Sequence, residues 1–201
     1  MNEQERLNHI IKVLKEVVSS GCQQSIATGQ HRVTLRETKA AAKGRLDEIH
    51  IGSITEPIAL FFPDKARPML CGFLAEGNTQ KACDAILATH YDGIGYLIVC
   101  EMKSGGTKGL AAQIRNTACF VELLVNLAFH HHDLDLSQWQ RRYVVLCAGR
   151  LHKSKTRVGE PKAGLCPSRP KEISVRNKAE LPIGALCSPI VKNASDSERR
   201  S

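Results

Sequence analysis

Aromatic residues are scarce, at 4% of 201 residues, which argues against broad platforms on which bases stack one after another. Also missing is any run of the ~18 apolar residues that a membrane-spanning helix needs. The eight cysteines (Cys22, Cys71, Cys83, Cys100, Cys119, Cys147, Cys166 and Cys187) contain no CxxC pair, so the spacing of a structural zinc site is missing. The first residues, Met1-Asn2-Glu3-Gln4-Glu5-Arg6, are polar and acidic and do not read as a secretory signal. Together these features point to a cytoplasmic protein with reduced thiols that pack as small hydrophobes. Acidic side chains are in deficit: 20 Asp and Glu stand against 28 Lys and Arg, a formal net charge of +8. A basic surface attracts polyanions, and nucleic acid is the commonest in a cell, but charge alone specifies no chemistry.

What is present suits one globular domain with a real core. Residues 1–150 read as that core, opened by a helix, and residues 151–201 as a basic, proline-containing extension of it. Over 3–20, Leu7, Ile10, Ile11, Leu14, Val17 and Val18 recur at helical spacing, with Gly21 as a C-cap. Apolar runs at Ile49–Ile54, Ile58–Phe62 and Met69–Leu74, punctuated by prolines, suggest strands. Strands are also expected over 82–89, 95–103 and 142–148, with a long helix over 107–130 closed by His130, His131 and His132.

The informative stretch is the pair of strands around Tyr91-Asp92-Gly93-Ile94. Asp-Gly supplies the positive φ angles of a two-residue hairpin turn. With that turn Tyr91 faces Ile94, and the same register sets Asp84 opposite Glu101. Opposed residues project from one face with Cβ atoms ~5 Å apart. Lys103, two residues beyond Glu101, shares the face, whereas Met102 points away. Two carboxylates so placed at a core edge repel and are partly desolvated. A divalent cation relieves both problems, and Mg²⁺ (or Mn²⁺) takes one or two carboxylates with water and phosphate completing its shell. Lys103 would then orient or deprotonate the attacking water and offset charge on a phosphate, which is the chemistry of phosphodiester hydrolysis. The bland reading is an E-x-K on a solvated strand face.

A strand bearing Asp84, a hairpin, a strand ending in Glu101-Met102-Lys103 and a helix from Thr107 together resemble the core of the PD-(D/E)XK, or restriction-endonuclease-like, nucleases. The resemblance covers roughly residues 80–150. It implies an α/β fold with an αβββαβ core, a mixed central sheet flanked by helices, and a metal-dependent endonuclease. Several branches place a glutamine in the following helix near the metal, and Gln113, in the string Gln113-Ile114-Arg115-Asn116-Thr117, matches it. Many members also carry an upstream glutamate, for which Glu37 and Glu48 are candidates and Glu48 is preferred. Cys83 stands where the motif's name has proline.

Lys153, Lys155 and Arg157 follow the third strand and are candidates to grip phosphates, or they are a solvated loop. The three consecutive histidines diverge by ~100° each around a helix, so a polar helix end fits them better than a metal site. Cys83 and Cys100 are expected on the face opposite the carboxylates, in the core, and Trp139 as a packing anchor. The expected partner is DNA, with targeting through a homodimer or a larger complex and a role in defence against foreign DNA or in DNA repair. The alternative is a non-catalytic subunit that keeps the nuclease fold and binds nucleic acid or a protein partner.

Overall fold

The Asp92-Gly93 turn organises the sheet. Both residues have positive φ (52° and 75°), so two strands leave it already paired. The computed structural model describes residues 2–24, 26, 31–36, 46–63, 81–104, 108–148 and 164–188. Within them, β5 (Ala85–Tyr91) and β6 (Ile94–Lys103) form an antiparallel ladder from Tyr91–Ile94 to Ala85–Cys100, the register expected from the two-residue turn. Outward from this hairpin, β4 (Ile58–Phe61) pairs antiparallel with β5, and β1 (Gln23–Gln24) with β4. On the other side β7 (Gln140–Cys147) and β8 (Lys171–Ser174) add in parallel, giving a six-stranded mixed sheet ordered β1-β4-β5-β6-β7-β8. The parallel β6–β7 pair needs a long crossover, and α2 (Leu110–His132) supplies it.

Two different layers cover the sheet. On one face, Ile10, Ile11 and Leu14 of α1 (Glu3–Val17) and Ile114, Val121 and Leu124 of α2 pack over Ile86, Leu97, Val99 and Val145. On the other lies a three-stranded sheet of β2 (Val33–Arg36), β3 (Glu48–Gly52) and β9 (Glu180–Pro182). Its Val33, Leu35, Ile49 and Ile51 meet Leu87, Ile98, Met102 and Leu146, and the short α3 (Ile183–Cys187) adds Leu186. A mixed sheet flanked by helices was expected, and the long helices cover one face of it. The second layer is mostly sheet because Ile49 and Ile51 alternate with Glu48 and His50, a period of two that buries one side of a strand. The result is a mixed α/β protein in which the central strands β5 and β6 are buried on both faces, and so read as continuous apolar runs.

Some local expectations shift. α1 starts at a capping box, with Asn2 and Glu5 each accepting the other's backbone N–H, and it ends at Val17 with Val18 extended. Gly21 sits beyond it in a 3-10 turn (Ser20–Cys22) rather than capping it. α2 runs through all three histidines and closes where Asp133 adopts φ 52° and its N–H, with that of Leu134, returns to the last turn. Trp139 is indeed a packing anchor: its indole lies so close over Gly95 that a Cβ there would overlap it. The apolar run at 69–74 lies outside the described residues. No helix among the described residues is long and apolar enough to cross a membrane.

Candidate active site

Alternation along β6 decides which side chains meet α2. Leu97 and Val99 face the helices, while Ile98, Cys100 and Met102 face the smaller sheet. Glu101 and Lys103 continue the first series at the end of the strand. Asp84 lies one residue before β5, where continuing the ladder register sets it opposite Glu101. Its backbone N–H donates to Glu101 Oε2 at 3.2 Å, and its own Oδ2 accepts the N–H of Met102 at 2.7 Å. The two acidic residues are thus hooked together through backbone amides. Asp84 is 8% exposed and Glu101 0%.

Lys103 stands at the more open end of this pair. Its ammonium lies 2.6 Å from Glu101 Oε1 and donates to Gln113 Oε1 at 2.7 Å. Gln113 reaches the site because α2 starts at Leu110, beyond the Gly109 N-cap, and the next turn aims this side chain back at the sheet. Its Nε2 donates to the carbonyl of Ala82 at 3.2 Å. Two neighbours on α2 act likewise: Asn116 Nδ2 donates to Lys81 O at 2.9 Å, and Thr117 Oγ1 accepts the N–H of Cys83 at 2.8 Å. Neither Asn116 nor Thr117 was singled out from the sequence. The available signal was their i+3 and i+4 spacing from Gln113.

The structure therefore brings Asp84, Glu101, Lys103 and Gln113 together. Glu48 is not brought to them. It sits in β3 on the side facing away from the core, where its carboxylate lies 3.5 Å from Arg36 Nε and 3.3 Å from His50 Nε2. The alternation that buries Ile49 turns Glu48 to the opposite side. Lys153, Lys155, Arg157 and Glu37 lie outside the described residues. Cys100 faces the smaller sheet as expected, but Cys83 belongs to the helix-side core. The strand begins only at Ala85, so strict alternation does not extend back to residue 83. Burial pushes the thiols of Cys83 and Cys100 well up, and the nearby carboxylates add to this, so both stay protonated packing groups.

The donor set suits a hard divalent cation: two carboxylates and no sulfur or imidazole in the contacts just described. Among the described residues no group of three or more His, Cys, Asp and Glu side chains converges as a metal cage. An ion here would have two carboxylate ligands, with water and phosphate oxygen as the rest, a division that Mg²⁺ accepts. The histidines at the end of α2 form no such cage either; His132 Nδ1 lies 3.8 Å from Glu16 of α1. Comparisons with protein-family models, with curated proteins and with solved structures found no match.

Proposed function

We propose that this chain is a metal-dependent endonuclease that hydrolyses DNA phosphodiester bonds, with Asp84, Glu101 and Lys103 as its reacting groups and Gln113 beside them. The supporting observation is the buried carboxylate pair, joined through backbone amides and flanked by one ammonium. Both acids are 8% exposed or less. Burying two carboxylates side by side is expensive, and a divalent cation lowers that cost, so the pair suits a site that receives one. With β1, β2 and β3 left aside, α1, the antiparallel β4, β5 and β6, then α2 and the parallel β7 follow the αβββαβ order of restriction-endonuclease-like nucleases, which supports the same reading.

Asp84 and Glu101 would hold Mg²⁺ or Mn²⁺. When bound, the ion polarises the phosphodiester and makes water a better nucleophile. Glu101 keeps Lys103 close in its absence, and Lys103 then serves as the donor that offsets charge growing on phosphate oxygen. Gln113 holds the lysine ammonium from the other side, so it stays directed at the carboxylates instead of sweeping through solvent. The formal charge of +8 supplies a sequence-independent attraction to the DNA backbone. Defence against foreign DNA or DNA repair is the proposed setting.

The test is cleavage of plasmid and single-stranded DNA with Mg²⁺ or Mn²⁺. Asp84→Ala and Lys103→Ala should abolish cutting while the protein stays folded. Variants that cut as fast as the parent would end this reading. The net positive charge also favours a second reading, a non-catalytic subunit that binds nucleic acid. That protein would bind DNA in a salt-sensitive way unaltered by Asp84→Ala, and the parent would not cut.

A further inference from the structure

We infer that Asn116 and Thr117, with Gln113, are positioning residues that clamp residues 81–83 onto α2 and thereby set where Asp84 presents its carboxylate. The consequence for metal binding rests on the nuclease reading, but the clamp itself does not.

Residues 81–83 precede β5 and lie outside its ladder, so their backbone groups need other partners. α2 provides one for each: Asn116 for the Lys81 carbonyl, Gln113 for the Ala82 carbonyl, and Thr117 for the Cys83 N–H. The three side chains sit at i, i+3 and i+4, on one face of the helix. Thr117 is 0% exposed and Gln113 6%, in a helix whose other buried positions are apolar. From Cys83 the chain of contacts continues without a gap: Asp84 follows, and its carboxylate accepts the N–H of Met102.

Gln113 has two opposite tasks. Its Nε2 donates to Ala82 and its Oε1 accepts from Lys103, which fixes the amide orientation, since a flip would set NH₂ against an ammonium. One side chain thereby ties the lysine to the segment that carries Asp84. A clamp of this kind spares the carboxylate from sampling other rotamers before an ion arrives, which is how partners behind metal ligands raise affinity.

The Met102 amide reports directly on the Asp84 side chain. In metal-free protein, Thr117→Val keeps the shape of the side chain but loses the oxygen. It should speed hydrogen exchange at Met102 about fivefold, the factor for one lost hydrogen bond, with exchange elsewhere in β6 unchanged. Thr117→Ser should restore it, and the less buried Asn116→Ala should give a smaller rise at the same amide. In a Mn²⁺ titration Thr117→Val should bind about tenfold more weakly. Exchange at Met102 equal to that of the parent in both variants, or a rise spread evenly over α2 and the sheet, would overturn the clamp. A parent protein that binds no Mn²⁺ would instead remove the nuclease reading, and the exchange result would still decide the clamp.

Discussion

The two faces of the central sheet each bury charge, and they handle it in opposite ways. On the face toward the smaller sheet, Arg142 and Lys171 are 6% and 3% exposed. Arg142 donates to the carbonyls of Cys187 (2.7 Å) and Arg141 and to the side chain of Gln140, with its guanidinium 5.2 Å from the centre of the Tyr96 ring. Lys171 donates to the carbonyls of Ala185 and Ser188 at 2.7 and 2.6 Å. These cations are met by neutral dipoles of the chain itself, and what they fasten is α3 to the sheet. On the helix-side face the Asp84 and Glu101 carboxylates lie together, with the Lys103 ammonium 2.6 Å from Glu101 Oε1. The buried cations lock one segment to another, whereas the acidic pair is, on the proposed reading, a place for a cation.

If this contrast is right, variants on the two faces should fail in different assays. The largest effect is expected for Lys103→Ala, which should slow DNA cleavage by about 100-fold or more at urea concentrations well below its unfolding midpoint, a midpoint itself lowered because Glu101 loses its buried partner. Unimpaired cleavage would place the lysine outside the reaction. Next comes Arg142→Met, which strips donors from the Cys187 carbonyl and from Gln140. It should cost about 2–3 kcal/mol of stability by urea titration and leave cleavage intact well below the midpoint. Cleavage that falls while stability holds would erase the distinction between the faces.

A milder effect concerns pH. Burial lowers the Lys171 ammonium to about 8 from an ordinary 10.5. Between those values the unfolded chain holds a proton that the folded chain has released, so stability contributed by this residue rises with pH across the window. Below pH 8 both states are protonated and the burial cost stands in full. Comparison with Lys171→Met isolates the effect: the parent should gain on the variant from pH 8 to 10.5, and parallel curves would contradict it. The smallest effect belongs to Glu48→Gln. Its partners, Arg36 of β2 and His50 of β3, lie on the outer side of the smaller sheet, so stability should change by less than about 1 kcal/mol and cleavage not at all. A loss of cutting would bring Glu48 back into the site.

Much of the helix-side face was legible without coordinates. Asp92 and Gly93 dictate a two-residue turn, and the turn dictates the register that brings residues 84 and 101 together. What could not be read was how the chain leaves the ladder at Asp84. It stands outside β5, and its N–H and carboxylate bind the partner strand by routes that strand periodicity does not describe. The same departure explains Cys83, which alternation would send to the other face. Glu48 shows the limit in another way. A glutamate ahead of the hairpin is easily nominated from its place in the chain, but only the pairing of β3 with β2 and β9 shows that its strand belongs to a different sheet.

By itself the sequence determined the local chemistry: the positive-φ turn, the helix repeat of α1 and α2, the alternation of β3, and the grouping of Asp84, Glu101 and Lys103. These follow from short-range sterics and periodicity, which act over a few residues. Tertiary structure alone decided that a second sheet covers the far face, that Arg142 and Lys171 reach the carbonyls at the end of α3, and that Asn116 and Thr117 hold the approach to Asp84. Each of these joins segments distant in the chain, and no local preference encodes which distant backbone group a buried side chain will find.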